Sequence, residues 1–245
     1  MNNTMLGDAY VDVLKDVDPR YFHAQDQRPL GSKGLSGIFL TSVSDQYGSA
    51  KNRVMVVGCE TAGWEPLQKG EVFVSLEHLV AKTIAKHRTF FEKRLSQPLK
   101  DRGKTFHNFT RELASVTGRD GLVYSNLFCF DWAGKSPIGC PEFDFVKDLS
   151  RKLLHRQIEV LQPEVIVFAN GIASASYRRE FFPSGDDGRI SNPRSHPEII
   201  KAHYLWEFVL DGNIRCFRVH HPSARSKQAA VGRRAALSML ASALN

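Results

Sequence analysis

Along this chain, short uninterrupted apolar runs alternate with longer stretches in which apolar residues recur every three or four positions. Four runs stand out, at residues 54–57, 122–124, 165–168 and 216–219, the last broken by Arg218. Continuous apolar runs of this kind suit strands covered on both faces. Unusual polar residues follow each one: Gly58-Cys59-Glu60, Ser125-Asn126, Asn170-Gly171 and His220-His221-Pro222-Ser223. If the runs are parallel strands of one sheet, these groups gather at its carboxyl edge, where open α/β sheets bind ligands. A carboxylate, an amide and an imidazole drawn from distant sequence then suggest an active site.

The stretches between the runs read as helices and loops. Residues 10–17 open the chain as a helix, followed by an irregular segment in which Gly31, Gly34 and Gly37 predict a loop or lid. Ser75 is placed to cap a long helix, with Glu77 in its first turn and one face made of Leu76, Leu79, Val80, Thr83, Ile84, His87, Phe90 and Phe91. Phe106, Phe109, Leu113 and Val116 mark a second helix that Gly118 stops. After a loop over residues 131–143, a third helix runs to Leu161 and ends before Pro163. A short helix over residues 177–182 and a second long loop over 184–197 come next. Residues 204–210 and 214–219 read as a hairpin turning at Asp211-Gly212-Asn213, and Ser226 caps a last helix to about residue 244. The alternation predicts an α/β fold: a three-layer α/β/α sandwich whose central, mainly parallel sheet has about four strands. Residues 1–52 are expected as an N-terminal helix and irregular segment packed on the core, and 53–245 as a single α/β domain.

Composition narrows the class. The chain has 245 residues, 42% hydrophobic and 24% charged, which suits a soluble globular protein. No apolar stretch approaches the roughly 20 residues needed to span a bilayer, and the first residues lack a secretory pattern. A cytoplasmic monomer is expected. The formal net charge of +7 favours polyanionic partners, and Arg225, Lys227, Arg233 and Arg234 follow directly on the His-Pro-Ser segment. Cys59, Cys129, Cys140 and Cys216 form no Cys-x-x-Cys pair, and the histidines match no standard ligand spacing, so no metal and no cofactor are expected.

The turn after the first run, residues 58–65, lacks the Gly-x-Gly-x-x-Gly of a dinucleotide site and places an acid where a pyrophosphate would sit. In its order of motifs the chain instead resembles the uracil-DNA glycosylase superfamily. The resemblance rests on Gly58-Cys59-Glu60-Thr61-Ala62-Gly63, Tyr124-Ser125-Asn126 and His221-Pro222-Ser223-Ala224, with support from residues 70–74 and 161–171. It covers roughly residues 53–244 and is carried by the ordered set, since no single motif is specific.

The resemblance implies a hydrolase that cleaves the N-glycosidic bond of a damaged or deaminated, uracil-type base in single- or double-stranded DNA. Glu60 would position water and stabilise the sugar cation, and His221 would donate a hydrogen bond to the leaving base. Gly58, Cys59, Phe73, Asn126 and Ser223 would line the base pocket, Phe73 by stacking and Asn126 through its donor and acceptor. Pro222, Ala224, Arg225, Ser226 and Lys227 would meet the DNA backbone. The chain departs from the familiar pattern at Glu60, where Asp or Asn is usual, and at Thr61, where Pro is usual. The amino-terminal cysteine pair of the cluster-bearing relatives is also missing, and no iron–sulfur cluster is expected. Each residue also has a plain structural reading: Glu60 as a cap or ion-pair partner, Asn126 as a loop tie, Phe73 as core. Two alternatives therefore stand beside the glycosylase: a nucleic-acid-binding protein of the same fold without the chemistry, and a hydrolase of a small nucleoside-like substrate.

Overall fold

The computed structural model describes residues 2–28, 32–99, 101, 105–185 and 188–244. In chain order its main elements are α1 (Asn2–Leu14), β1 (Val54–Gly58), α2 (Leu76–Leu95), α3 (Thr105–Thr117), β2 (Leu122–Asn126), α4 (Phe143–Leu161), β3 (Val165–Phe168), α5 (Ala175–Phe181), β4 (Ile190–Ser195), β5 (Leu205–Leu210), β6 (Ile214–Val219) and α6 (Lys227–Leu244). Chain contacts divide it into two compact units. The first comprises Met1–Asp45, Cys59–Phe90 and Ser125–Gln162; the second comprises Gln46–Gly58, Phe91–Tyr124 and Pro163–Asn245. Among the described residues, no helix is long and apolar enough to cross a membrane.

The second unit is built on the sheet, whose strand order is β2-β1-β3-β6-β5-β4. The apolar runs form strands as expected. β1 pairs parallel with β3, and β3 parallel with β6. The sheet nevertheless has six strands, not about four, and is partly antiparallel: β6 pairs antiparallel with β5, and β5 with β4. The β5–β6 hairpin matches the expectation, and Asp211 and Gly212 turn it with φ of 50° and 78°. β4 lies inside the segment expected to be loop. Only its Ile190 is buried, so no apolar alternation betrays it. Backbone pairing to β5 holds it, and Pro193, Arg194 and a register shift mark it as a managed edge strand.

Helices flank this sheet on both faces. Phe168, Arg218 and Trp206 are register partners across β3, β6 and β5 and so project to one face, where Arg178 of α5 lies against Phe168 and Trp206. Arg215 is out of phase with that row and shares a surface hollow with Ser238, Met239 and Ser242 of α6 on the other face. α6 packs there on β5, β6 and α3. It comes so close that a Cβ on Gly232 would sit 2.7 Å from the Tyr204 carbonyl oxygen.

The first unit packs α1 against α4. α1 begins earlier than residue 10, because Leu6, Tyr10 and Leu14 already form its buried stripe. Tyr10 donates to the Thr41 carbonyl at 3.1 Å, and the Ser42 N–H donates to His87 Nδ1 at 2.9 Å. Residues 38–43 run through this core, so the glycine-rich segment before them is packed and not a free lid. A Cβ on Gly34 would meet the Trp132 ring at 2.7 Å, and one on Gly37 would meet Pro66 at 2.1 Å. Gly31 lies outside the described residues. Ser75 caps α2, its Oγ accepting the His78 N–H at 3.2 Å.

Ser226 plays the same part for α6, accepting the Ala229 N–H at 3.1 Å. Ser226→Ala is expected to lower stability by about 1 kcal/mol, read as a lower urea midpoint at unchanged m-value.

Candidate active site

The polar residues that follow the strands fall into two groups, one in each unit. In the first unit the chain beyond β1 lies beside the chain beyond β2, with the Phe128 N–H donating to the Cys59 carbonyl at 2.8 Å. Glu60 comes next and opens the turn to Trp64. One buried carboxylate, Asp131, organises that turn. Its Oδ2 accepts from the Thr61 hydroxyl at 2.7 Å, the Gly63 N–H at 2.9 Å and the Trp64 N–H at 3.4 Å, while its Oδ1 accepts the Gly134 N–H at 2.8 Å. Ser36 braces the same residue, its Oγ accepting the Asp131 N–H at 2.9 Å.

Glu60 is half-buried, and its Oε2 is shut off from solvent without a hydrogen-bond partner among the described residues. Burial raises its carboxyl above the ordinary range; a hydrogen bond with Cys59 opposes this, and repulsion from Asp131 adds to it. Asn126 is buried, 5% exposed, and neither its Oδ1 nor its Nδ2 has a partner among the described residues. Buried polar atoms are nearly always hydrogen-bonded. An amide with both functions open therefore suits a ligand that brings a donor and an acceptor together. Phe73 is half-buried, its ring 5.7 Å from Phe22 and 5.8 Å from His23.

In the second unit Gly58, Asn170 and His221 stand at or just past the carboxyl ends of the neighbouring parallel strands β1, β3 and β6. His221 is held firmly. Its ring stacks on Phe106 at 5.7 Å with 21° between planes. Its Nδ1 lies 2.7 Å from Ser223 Oγ and accepts the Ser223 N–H at 3.2 Å. An Nδ1 that accepts from a backbone amide carries no proton, so the neutral ring is the Nε2–H tautomer. Burial lowers the affinity of His221 for a second proton, and Arg233 lowers it further. Arg233 also bridges the turn, donating to the carbonyls of His221 at 3.2 Å and Ala224 at 3.5 Å. His220 points elsewhere, its Nε2 2.8 Å from the His203 carbonyl.

The remaining expected site residues take varied places. Cys59 is half-buried and next to Glu60; Gly58 is buried in β1. Ser223 orients the imidazole, and Ser226 caps α6. Pro222 is buried and Ala224 half-buried, whereas Arg225 and Lys227 are exposed. Asp131 and Phe106 escaped the sequence reading. The one signal for Asp131 was an acid placed directly after the apolar residues 127–130; Phe106 looked like any residue on a helix face.

Among the described residues, no three His, Cys, Asp or Glu side chains group to hold a metal. The sequence matches no protein-family model and no curated protein.

A raised Glu60 pKa has a defined consequence for stability. The protonated form is favoured in the fold, so the contribution is complete below the ordinary carboxyl pKa of about 4.3 and is lost as pH rises through the raised value. Glu60→Gln removes this titration. The variant is expected to equal or exceed the parent in stability at neutral pH, with a difference that grows from about pH 4 upward, in urea titrations run across pH.

Proposed function

We propose that this protein is a DNA glycosylase of the uracil-DNA glycosylase type, hydrolysing the N-glycosidic bond of a damaged or deaminated base. The observation that carries the reading is Asn126, whose buried amide offers an unused donor and an unused acceptor. The edge of a uracil-type base presents the complementary pair. Phe73 offers a half-exposed ring face for stacking on a base taken out of the helix.

In the proposed reaction the bond from the sugar anomeric carbon to the base nitrogen breaks, and its electron pair leaves with the base. Positive charge develops on the sugar and negative charge on the base. The Glu60 carboxylate stabilises the first and orients the water that adds to the anomeric carbon, accepting its proton. His221, in the second unit, offers an Nε2–H, a donor of the kind that stabilises negative charge on a departing base oxygen. Arg225 and Lys227, exposed beside His221, supply phosphate contacts.

Incubation with labelled oligonucleotides containing uracil, hypoxanthine or xanthine tests the reading through the abasic sites produced. At least one substrate is expected to react. Glu60→Gln and His221→Ala should each slow that reaction about 100-fold or more, and Asn126→Ala should weaken discrimination between bases. Activity should rise with pH as Glu60 ionises. No abasic product from any substrate at high protein concentration would overturn the proposal.

A further inference from the structure

Arg178 is 1% exposed and heads the largest fully buried side chains. It projects from α5 onto the sheet face of the second unit, its guanidinium carbon 5.2 Å from the Phe208 ring centre, 5.3 Å from Trp206 and 5.8 Å from Phe168. The rings attract a cation through their faces but accept little in the way of directed hydrogen bonds. Nε and Nη1 are both buried and both lack an acceptor among the described residues. No carboxylate pairs with Arg178 among the described residues. The charges it feels most are Arg218 and Arg179, which are like charges; burial and these neighbours lower its pKa only to about 10, so it stays charged at neutral pH. Arg218, a register partner of both Phe168 and Trp206, has its guanidinium turned to the carbonyls of His203 and Ala202.

A buried cation without a counter-ion is costly, and buried charges in proteins are normally paired. Three guanidinium groups here share one neighbourhood, and the innermost has two N–H groups in search of an acceptor. We propose that this spot is an oxyanion site of phosphate class, in which Arg178 grips the anion and Arg179 and Arg218 add attraction. The Nε–H and Nη1–H leave different edges of the guanidinium, so the anion takes a charge-assisted hydrogen bond from one of them. The inference stands on the second unit alone and does not depend on the glycosylase reading. The shared chemistry fits a free phosphate or the terminal phosphate of a nucleic acid.

Thermal unfolding of the full chain in chloride and in inorganic phosphate at matched ionic strength tests the site. In chloride, Arg178→Met is expected to melt higher than the parent, because an apolar side chain suits the aromatic box. In phosphate the order should invert, with the parent rising by roughly 5–10 °C at about a hundredfold excess over Kd and the variant unmoved. Arg178→Lys, which keeps the charge but not the planar set of donors, should lose most of the rise and serves if the methionine variant fails to fold. A parallel titration compares one short oligonucleotide with and without a 5′-phosphate. A rise with inorganic phosphate assigns a free anion, and one seen only with the phosphorylated oligonucleotide assigns a nucleic-acid end; either supports the site when Arg178→Met or Arg178→Lys abolishes it. Equal responses of parent and variants, or no response to any of these ligands, would overturn the proposal.

Discussion

The parallel pairing of β1, β3 and β6 governs where chemistry can reside in the second unit. Every residue of β1 and β3 is buried, so their backbone groups must be satisfied by the ladder and their side chains must be apolar. A carboxylate or imidazole inside these strands would be stranded without water. Polar function is therefore displaced to the first residues beyond the pairing. The ladder extends one step past β3, the Ala169 N–H donating to the Val57 carbonyl at 2.9 Å, and Asn170 follows immediately. Gly58 ends β1 in the same way, with Glu60 two residues on, and His220 and His221 follow β6.

That constraint explains which features the sequence alone could reveal. Strands buried on both faces leave uninterrupted apolar runs, and caps such as Ser75 and Ser226 act on backbone amides three residues away. Both are local and both were legible. β4 was not, because its residues are polar and exposed and its pairing comes from β5. Glu60, Asn126 and His221 were legible as polar residues following apolar runs. Asp131 was not, because its work is done on Thr61, Gly63 and Trp64, about 70 positions away in the chain. Arg178 is hidden for a related reason. It sits in a polar stretch, Tyr177-Arg178-Arg179-Glu180, whose composition reads as a solvated helix face, and only the packing of a seven-residue helix on three rings reveals it.

The open polar atoms of Asn126, Glu60 and Arg178 share an energetic logic. Each buried donor or acceptor left unmet costs about 1–3 kcal/mol, more for a charged group. Folded proteins retain few such groups, and those retained call for an explanation. The core of each unit supplies enough apolar burial to tolerate them: Leu6, Tyr10 and Phe128 in the first, Val56, Phe168 and Phe217 in the second, none more than slightly exposed. A ligand that completed one of these sets of hydrogen bonds would recover part of that cost, less what it spends on its own desolvation and ordering.

His221 differs, since its surroundings are fully used. Phe106 sets the plane of the ring, Ser223 occupies Nδ1, and Arg233 fastens the turn that carries it. These three contacts leave one ring atom, Nε2, for chemistry and determine that it bears the proton. Arg233 has a second effect, because its charge opposes protonation of the same imidazole. Burial is the larger cause of that opposition, and the residue that fastens the turn adds to it. A neutral ring with its proton on Nε2 is a hydrogen-bond donor, and burial with the Arg233 charge moves its further protonation to lower pH. Ser223, expected in the base pocket, and Arg233, expected only as positive charge following the His-Pro-Ser segment, act on the imidazole and its turn, and this is why motif order alone could name His221 but not the groups that hold it.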